Sequence, residues 1–164
     1  MQEFTSGNND PQFPSFLQGF NRRWKASNCE VIYLCHTTED VRRALEKGTS
    51  LYGKNVKIKS GGHCYENFVF NDTTKAIIDI TNLNDVGFDD EKGHYLDAGG
   101  SNWSSFTTLF NTFGKVLPSG SCYSVGLGGH ICGGGYGLLS RLHGLTVDWL
   151  TGVELLTPPH IYLS

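Results

Sequence analysis

Glycine is the residue that most restricts how this chain can fold. The chain has 21 glycines among 164 residues, well above the usual share of about 7%, and they cluster in two segments. These are Lys59-Ser60-Gly61-Gly62-His63 and the span from Ser119 to Gly137. Because glycine loses more backbone freedom on folding than any other residue, such a density indicates that the backbone approaches a ligand closely or takes positive φ. We expect His63 and Cys122, which lie among these glycines, to face that ligand.

The charge and the hydropathy of the chain argue against two classes of partner. Its formal net charge is −3, and no basic run is longer than Arg22-Arg23, whereas proteins that bind nucleic acid use basic patches. No apolar run reaches the length of about 18 residues that a transmembrane helix requires. We therefore expect neither a nucleic acid nor a membrane as partner. The first residues, MQEFTSGNND, are polar and lack the apolar core of a signal peptide.

The chain has five cysteines, an odd number, so at least one of them stays unpaired, reacts or is attached to another group. Cys29 and Cys35 flank a short apolar run and could form a disulfide in an oxidising compartment. We favour two buried thiols, because cysteine behaves as a small apolar residue in protein cores. The other three cysteines, Cys64, Cys122 and Cys132, lie in or beside the glycine segments.

The order of the apolar patterns predicts an α+β domain rather than a doubly wound sheet, because helices do not alternate regularly with the strands. Strands are predicted at residues 31–34, 56–59, 76–80, 95–98 and 149–157. Helices are predicted over residues 13–24, from a capping box at Thr37 and Asp40 to Gly48, and over residues 103–113 between Asn102 as cap and Gly114 as stop.

The third predicted helix has an apolar face made of Trp103, Phe106, Leu109, Phe110 and Phe113. We divide the chain into an N-terminal segment, residues 1–23, and one domain over residues 24–164. The predicted last strand has no following element that could pair with its backbone groups. The domain is therefore interpreted as incomplete at its C-terminal end and as the front part of a longer protein, without a substrate domain.

Several ligand-binding patterns compete for the glycine segments. The Rossmann fingerprint G-x-G-x-x-G fails at its third glycine, both from Gly126 and from Gly133, and the P-loop pattern does not occur. A phosphate cradle fits better, because side-chain-free residues after a strand let successive backbone N–H groups converge on an anion. The span from Ser119 to Gly137 would then bind the remaining part of a large flat ligand, beyond its anionic group. Zinc is the weaker alternative, since the candidate ligands include no C-x-x-C pair; they are His63, Cys64, Cys122, His130 and Cys132.

These residues resemble the berberine-bridge-enzyme-like flavoprotein oxidases of the vanillyl-alcohol-oxidase superfamily. The resemblance covers roughly residues 24–157 and implies a PCMH-type FAD-binding domain, with two small sheets and surrounding helices. A long motif in separate segments carries the resemblance, so that chance agreement is not expected. It reads Ser60-Gly61-Gly62-His63, then Pro118-x-Gly120-x-Cys122-x-x-Val125-Gly126-x-Gly128-Gly129-His130-x-x-Gly133-Gly134-Gly135-Tyr136-Gly137, then Arg141-x-x-Gly144-Leu145-x-x-Asp148.

The resemblance implies FAD as the cofactor, attached covalently at two points. His63 matches the histidine that is bonded to the 8α-methyl carbon of the flavin, and Cys122 matches the cysteine that is bonded to C6 of the ring. His130 matches a histidine beside the pyrimidine side of the flavin, where a donor would stabilise negative charge on the reduced ring. Further FAD contacts are expected from Lys59, Ser60, Gly61, Gly62, Gly126, Gly128, Gly129, Gly133 and Gly135.

The resemblance also implies an oxidase that takes a hydride from a hydroxyl-bearing carbon of a carbohydrate or secondary metabolite and passes the electrons to O₂, giving H₂O₂. In such enzymes the catalytic base comes from a later part of the chain, so we assign no catalytic residue and no particular substrate. The alternative is a catalytically incompetent fragment or a FAD-binding subunit that depends on a partner. The resemblance is compatible with a secreted full-length protein, and localisation is left open.

Overall fold

The core of the protein is a four-stranded sheet with the strand order β1-β2-β4-β3, in a computed structural model that describes residues 1–157. β1 (Gln2–Thr5) runs antiparallel to β2 (Val31–Leu34). β4 (Ala76–Asp79) lies between β2 and β3 (Val56–Lys59) and is parallel to both. The central strands β2 and β4 are apolar without alternation because they are covered on both faces. Their fully buried side chains include Ile32, Tyr33, Ile77 and Ile78.

α1 (Thr38–Tyr52) follows β2 and packs on one face of this sheet. Its predicted N-terminal cap is confirmed, because Thr37 Oγ1 accepts a 3.1 Å hydrogen bond from the backbone N–H of Asp40. The predicted end at Gly48 is wrong, since the helix continues to a cap at Gly53, where φ is +55°. A Cβ on Gly48 would lie 3.3 Å from Val56 Cγ2. This glycine therefore lets the helix approach the sheet closely and does not terminate it.

The segment of residues 1–23 supplies the edge strand β1, and the α-amino group of Met1 lies 2.7 Å from Asp40 Oδ2. The helix predicted over residues 13–24 is wrong, because a short 3-10 turn, Phe13–Leu17, is all that forms there. The chain then passes beneath the first glycine segment, where the N–H of Phe20 donates to the carbonyl of Gly62 at 2.8 Å. A Cβ on Gly19 would overlap this same carbonyl. These contacts with Gly62 hold the chain in an irregular conformation where the second half of the helix was predicted.

A second, two-stranded antiparallel sheet consists of β5 (Val86–Asp89) and β6 (Gly93–Leu96). The strand predicted at residues 95–98 therefore begins two residues earlier. Its partner β5 was not predicted, because a glycine inside the short Val-Gly-Phe-Asp run weakens the strand signal. That glycine, Gly87, lies under the ring of Tyr95, where a Cβ would come 2.6 Å from Cε1. The two small sheets with helices around them confirm the predicted α+β class.

α2 (Asn102–Phe113) follows the second sheet. Asn102 is not its cap, contrary to the prediction, because Ser101 and Ser104 form a capping box one residue earlier. The predicted stop at Gly114 is confirmed, with φ at +63°. The cap matters for the site, because it frees Asn102 to contact the second glycine segment.

The predicted apolar face of α2 is not buried as a whole. Leu109 is buried, together with Asn102 and Ser105 on the side turned to the protein. Trp103 and Phe110, by contrast, are 59% and 53% exposed, and they stack with Phe106 along the outside of the helix. Apolar periodicity marks a face that can be covered, and the part of the chain described here does not cover it.

α3 (Leu127–Cys132), α4 (Ser140–His143) and a 3-10 turn, Thr146–Trp149, complete the described structure. The strand predicted over residues 149–157 is wrong. Residues 150–157 pair with no strand among residues 1–157, and the side chains of Leu150, Val153 and Leu155 are exposed. Within the described range, no helix is long and apolar enough to cross a membrane.

Candidate functional site

The two glycine segments lie backbone against backbone. A Cβ on Gly61 would come 2.8 Å from the carbonyl oxygen of Ser124 and would overlap the amide of Gly126. A Cβ on Gly126 would in turn overlap Ser60 Oγ, which donates a 2.6 Å hydrogen bond to the carbonyl of Ala98. Because contacts this close leave no room for a side chain, glycine is required at both positions.

His63 follows the first segment, and its imidazole reaches across to the second. Nε2 lies 2.9 Å from Ser124 Oγ, and the ring stacks on Phe20 with centroids 4.7 Å apart and planes 19° apart. Partial burial lowers the pKa of His63 below its ordinary value, since desolvation disfavours the protonated ring. His63 is therefore held as a neutral imidazole. Within residues 1–157, Nδ1 has no hydrogen-bond partner.

Cys122 lies two residues before Ser124, so the Cα atoms of the two residues are at most about 7 Å apart. The thiol of Cys122 is exposed and free. The contact between His63 and Ser124 thus brings both predicted attachment residues into one neighbourhood. This juxtaposition joins residues that are far apart in sequence. Cys64, although adjacent to His63, is partly buried against the core cluster that contains Phe70, and Cys132 is exposed at the end of α3.

The N-terminus of α2 anchors the loop that carries Cys122. The backbone N–H groups of Asn102 and Trp103 donate to the carbonyls of Val125 and Tyr123 at 2.9 and 3.1 Å. The side-chain Nδ2 of Asn102, which is 2% exposed, also donates to the carbonyl of Cys122 at 3.3 Å. N–H groups in the first turn of a helix have no partner inside the helix, so the loop carbonyls satisfy them and are fixed by them.

His130 lies on α3, and its ring is enclosed by backbone. The N–H of Gly120 donates to Nε2 at 3.0 Å, and Cβ atoms on Gly120 and Gly135 would come 2.8 Å from Cε1 and 3.0 Å from Nε2. A nitrogen that accepts an amide N–H carries no proton, so the proton of the neutral ring lies on Nδ1. Burial also lowers the pKa of His130, which agrees with a neutral imidazole.

Lys59 ends β3 beside Asp79, which ends β4. Its ammonium group lies 2.7 Å from Asp79 Oδ2 and 3.1 Å from Thr81 Oγ1, and Asp79 is 1% exposed. The side chain passes under Gly62, whose φ is +71°. The structure thus places the charge of Lys59 on the sheet, beneath the first glycine segment.

The remaining predicted glycines differ in what surrounds them. A Cβ on Gly128 would lie 3.0 Å from the carbonyl of Ala98, so this glycine packs on protein. A Cβ on Gly129 would meet nothing within 4 Å, and one on Gly133 would meet nothing closer than 3.7 Å, so both leave their backbone open on one side. Gly135 has a φ of +76° and packs on Thr146.

Three residues of the site, Ser124, Asn102 and Thr146, were not predicted as site residues, and Asn102 was predicted only as a helix cap. Each acts through a tertiary contact, and a lone serine, asparagine or threonine carries no signal of its own. Among residues 1–157, no three histidine, cysteine or acidic side chains lie together in a way that could hold a metal ion. Cys29 and Cys35 are buried free thiols, as predicted, and burial raises the pKa of each to about 11.

A family of FAD-binding domains matches residues 29–159 of the chain. Among curated proteins, hexose oxidase from Chondrus crispus is 53% identical over 151 residues, which are 92% of this chain and 28% of that protein. Berberine bridge enzyme-like 21 from Arabidopsis thaliana is 38% identical over 155 residues, 89% of this chain and 28% of that protein. The chain thus spans about 28% of the length of these relatives.

A solved structure of glucooligosaccharide oxidase from Acremonium strictum, whose FAD is described as 6-S-cysteinyl and 8α-N1-histidyl, has the same fold. The TM-score is 0.78 at 26% identity, over 90% of this chain and 31% of that one. These matches agree with the resemblance that the glycine motif carries. The chain belongs to the family of FAD-binding domains found in berberine-bridge-enzyme-like and hexose oxidases.

Proposed function

We propose that this chain binds FAD in a bicovalent form, through His63 and Cys122, as the flavin-binding part of an oxidase of hydroxyl groups. The substrate class is a carbohydrate or a secondary metabolite, and the electron acceptor is O₂. The observation that carries the proposal is the contact of 2.9 Å between His63 and Ser124, two residues from Cys122. It supports the convergence of an imidazole and a thiol on one edge of a single ligand.

The residues present fit FAD in their chemistry. The donor set joins a neutral imidazole and an exposed free thiol, which are the nucleophiles that covalent flavin attachment requires. The open backbone at Gly129 and Gly133 offers close approach to a flat or anionic ligand. Further contacts are proposed for Lys59, Ser60, Gly61, Gly62, Gly126, Gly128 and Gly135. When bound, FAD supplies a two-electron acceptor that O₂ can reoxidise.

His63 is proposed to bond through Nδ1. Ser124 occupies Nε2, and Nδ1 has no partner within residues 1–157. Stacking on Phe20 holds the plane of the ring, and the lowered pKa keeps the nucleophilic lone pair available. Ser124 therefore decides which nitrogen of His63 faces the ligand.

Cys122 is proposed to bond through its sulfur. The three carbonyls of its loop that accept hydrogen bonds from α2 fix the backbone on both sides of Ser124. The thiol itself stays exposed, which a cysteine that is to react with a ligand requires. A rigid loop with a free side chain presents the sulfur at a defined place.

His130 is proposed to donate its Nδ1–H to the pyrimidine edge of the flavin. The amide of Gly120 fixes the proton on Nδ1, and a donor at that edge stabilises negative charge there. No catalytic base is assigned. The similarity to hexose oxidase and to glucooligosaccharide oxidase favours a sugar as the substrate.

The proposal is tested by incubating the purified chain with FAD, precipitating it in acid and measuring its mass. We expect the chain to gain the mass of one FAD and to stay yellow after precipitation. His63→Ala and Cys122→Ala should each retain FAD through the other residue, and the double variant should release it. Cys132→Ala, which removes an exposed cysteine of the same segment, is the matched control and should retain FAD fully. Release of FAD by the unaltered chain would contradict bicovalent binding.

The oxidase activity is tested on a protein that joins this chain to its substrate-binding part, by measuring H₂O₂ release with a panel of hexoses, oligosaccharides and aromatic alcohols. We expect H₂O₂ with at least one sugar. A flavin-loaded protein that releases no H₂O₂ with any member of the panel would contradict the oxidase but not the FAD binding.

A second candidate is a FAD-binding subunit that needs a partner. It is favoured by the exposed aromatic surface of α2, where Trp103 is 59% and the adjacent Tyr123 71% exposed, because monomers rarely expose large apolar patches. A chain that gains no FAD by itself, and that self-associates in sedimentation experiments, would support this candidate over the first.

A further inference from the structure

Thr146 contacts the edge of His130 from inside the protein. It is 2% exposed, and its Oγ1 lies 3.3 Å from His130 Nε2. The same hydroxyl oxygen lies 2.9 Å from the carbonyl of Pro118 and 2.9 Å from the carbonyl of Gly135. One buried hydroxyl thus joins the backbone before Cys122, the backbone after His130 and the imidazole itself.

The donors and acceptors around this hydroxyl are unequal in number. The three atoms within its reach are all acceptors, namely two carbonyls and an unprotonated ring nitrogen. Nε2 already receives the N–H of Gly120, and the carbonyl of Gly135 already receives the N–H of Thr146. The carbonyl of Pro118 has no other donor within residues 1–157. The hydroxyl of Thr146 is therefore the donor that prevents a buried, unsatisfied carbonyl beside His130.

The space around His130 also leaves little freedom for its ring, and this confinement does not depend on the hydroxyl of Thr146. A Cβ on Gly135 would come 2.5 Å from Thr146 Cβ and 3.0 Å from Nε2, so the threonine, the glycine and the imidazole are in close contact. A rotated ring would direct a carbon, not Nε2, at the N–H of Gly120, and that amide would lose its acceptor.

We propose that Thr146 is a positioning residue: its hydroxyl holds the carbonyl of Pro118, two residues before Gly120, and thereby keeps the amide N–H of Gly120 on Nε2 of His130, with the N–H of Nδ1 turned to the ligand. The inference rests on the proposed function, in which that ligand is the flavin. It assigns to Thr146 no contact with the flavin. Its effect passes through the orientation and the tautomer of His130.

The test compares Thr146→Val, which keeps the shape but removes the hydroxyl, with Thr146→Ser, which keeps the hydroxyl. The ring nitrogens of His130 are observed by ¹⁵N NMR in the chain without FAD, at about pH 8, where histidine is neutral. The unaltered chain and T146S should show one protonated nitrogen, Nδ1, and one unprotonated nitrogen, Nε2. In T146V the carbonyl of Pro118 loses its donor, so the backbone that leads to Gly120 should move and the amide signal of Gly120 should shift. The two nitrogen signals of His130 should then move toward each other as tautomers mix. An unchanged pattern in T146V would overturn the inference.

A second measurement keeps the inference testable should T146V fail to fold, which circular dichroism would reveal. In the unaltered chain, the hydroxyl proton of Thr146 should exchange slowly with water and show a nuclear Overhauser effect to the ring of His130. A hydroxyl proton that exchanges too fast to be seen would overturn the inference. Because neither measurement uses FAD, a chain with this NMR pattern that binds no FAD would contradict the proposed function and leave the inference about Thr146 standing.

Discussion

Replacing Gly61 with alanine should damage both the fold and the attachment of FAD, because this glycine is where the two segments touch. A Cβ there would come 2.8 Å from the carbonyl oxygen of Ser124, whereas ordinary Cβ contacts begin at 3.4 Å. The atoms in the way belong to the backbone and cannot rotate aside. The segments must therefore separate by about 0.6 Å at this oxygen, and by more at the amide of Gly126.

The consequence for the site follows from the same shift. Added to the present 2.9 Å between His63 Nε2 and Ser124 Oγ, it would bring that pair to about 3.5 Å, beyond good hydrogen-bond geometry. Overpacking of this kind costs about 1–3 kcal/mol of stability. Because misplacement of a reacting group by 1 Å can cost about 100-fold in rate, we expect FAD attachment at His63 to slow by about tenfold or more.

The assay is the rate of FAD incorporation, followed by mass, together with urea unfolding of each variant. Gly7→Ala, outside both glycine segments, is the matched control, since a Cβ there meets nothing within 4 Å and φ is not positive. Alanine at this position should stabilise the chain by about 0.4–1 kcal/mol and leave incorporation unchanged. If Gly61→Ala incorporates FAD as fast as the unaltered chain and unfolds at the same urea concentration, close contact between the two segments does not require glycine at this position.

Three further predictions concern neighbouring residues. Lys59→Met leaves the buried Asp79 without its cation and should lower the free energy of unfolding in urea by about 3 kcal/mol; a loss below about 1 kcal/mol would show that the ion pair is dispensable. Asn102→Ala removes the side-chain hydrogen bond to the carbonyl of Cys122. It should slow FAD attachment at Cys122 several-fold more than FAD attachment at His63, where the first rate is measured in the H63A variant and the second in the C122A variant. Equal slowing at both residues would count against that role. Because burial lowers the pKa of His63 below its ordinary value of 6.5, the attachment rate of C122A should fall as the pH is lowered, with a midpoint below pH 6.5; a decline centred above pH 6.5 would contradict this.

The sequence alone predicted the features that depend on a known motif or on local residue type. The FAD-binding family could be identified from the resemblance that the glycine motif carries, and the match to a family of FAD-binding domains confirms it. Strands β2 and β4 were predictable for a similar reason, since buried parallel strands are apolar throughout. The cap of α1 at Thr37 and the stop of α2 at Gly114 depend on neighbouring residues and were also predictable.

What could not be predicted depends on contacts between distant parts of the chain. Ser124 matters because it meets His63, and Asn102 matters because its side chain meets the carbonyl of Cys122. The helix expected after Phe13 fails because the carbonyl of Gly62 takes the N–H of Phe20. Local patterns contain no information about such partners, which exist only after the sheet has brought the segments together.

The outward face of α2 shows a different limit. Its aromatic residues have the spacing of a buried face, yet Trp103 and Phe110 are exposed in the described structure. Periodicity indicates that a face is suited to burial and does not indicate what covers it. The chain matches about 28% of the length of its relatives. Experiments can therefore ask whether another part of a longer protein, or a partner, covers this aromatic face of α2.

Peptide mapping of the FAD-loaded chain by mass spectrometry tests the central claim most directly. We predict one flavin-bearing species after proteolysis, in which the peptide of His63 and the peptide of Cys122 are joined through a single FAD. Each single variant should leave FAD on the other peptide alone. Recovery of both peptides at their unmodified masses, from a chain that has been supplied with FAD and is folded, would contradict it.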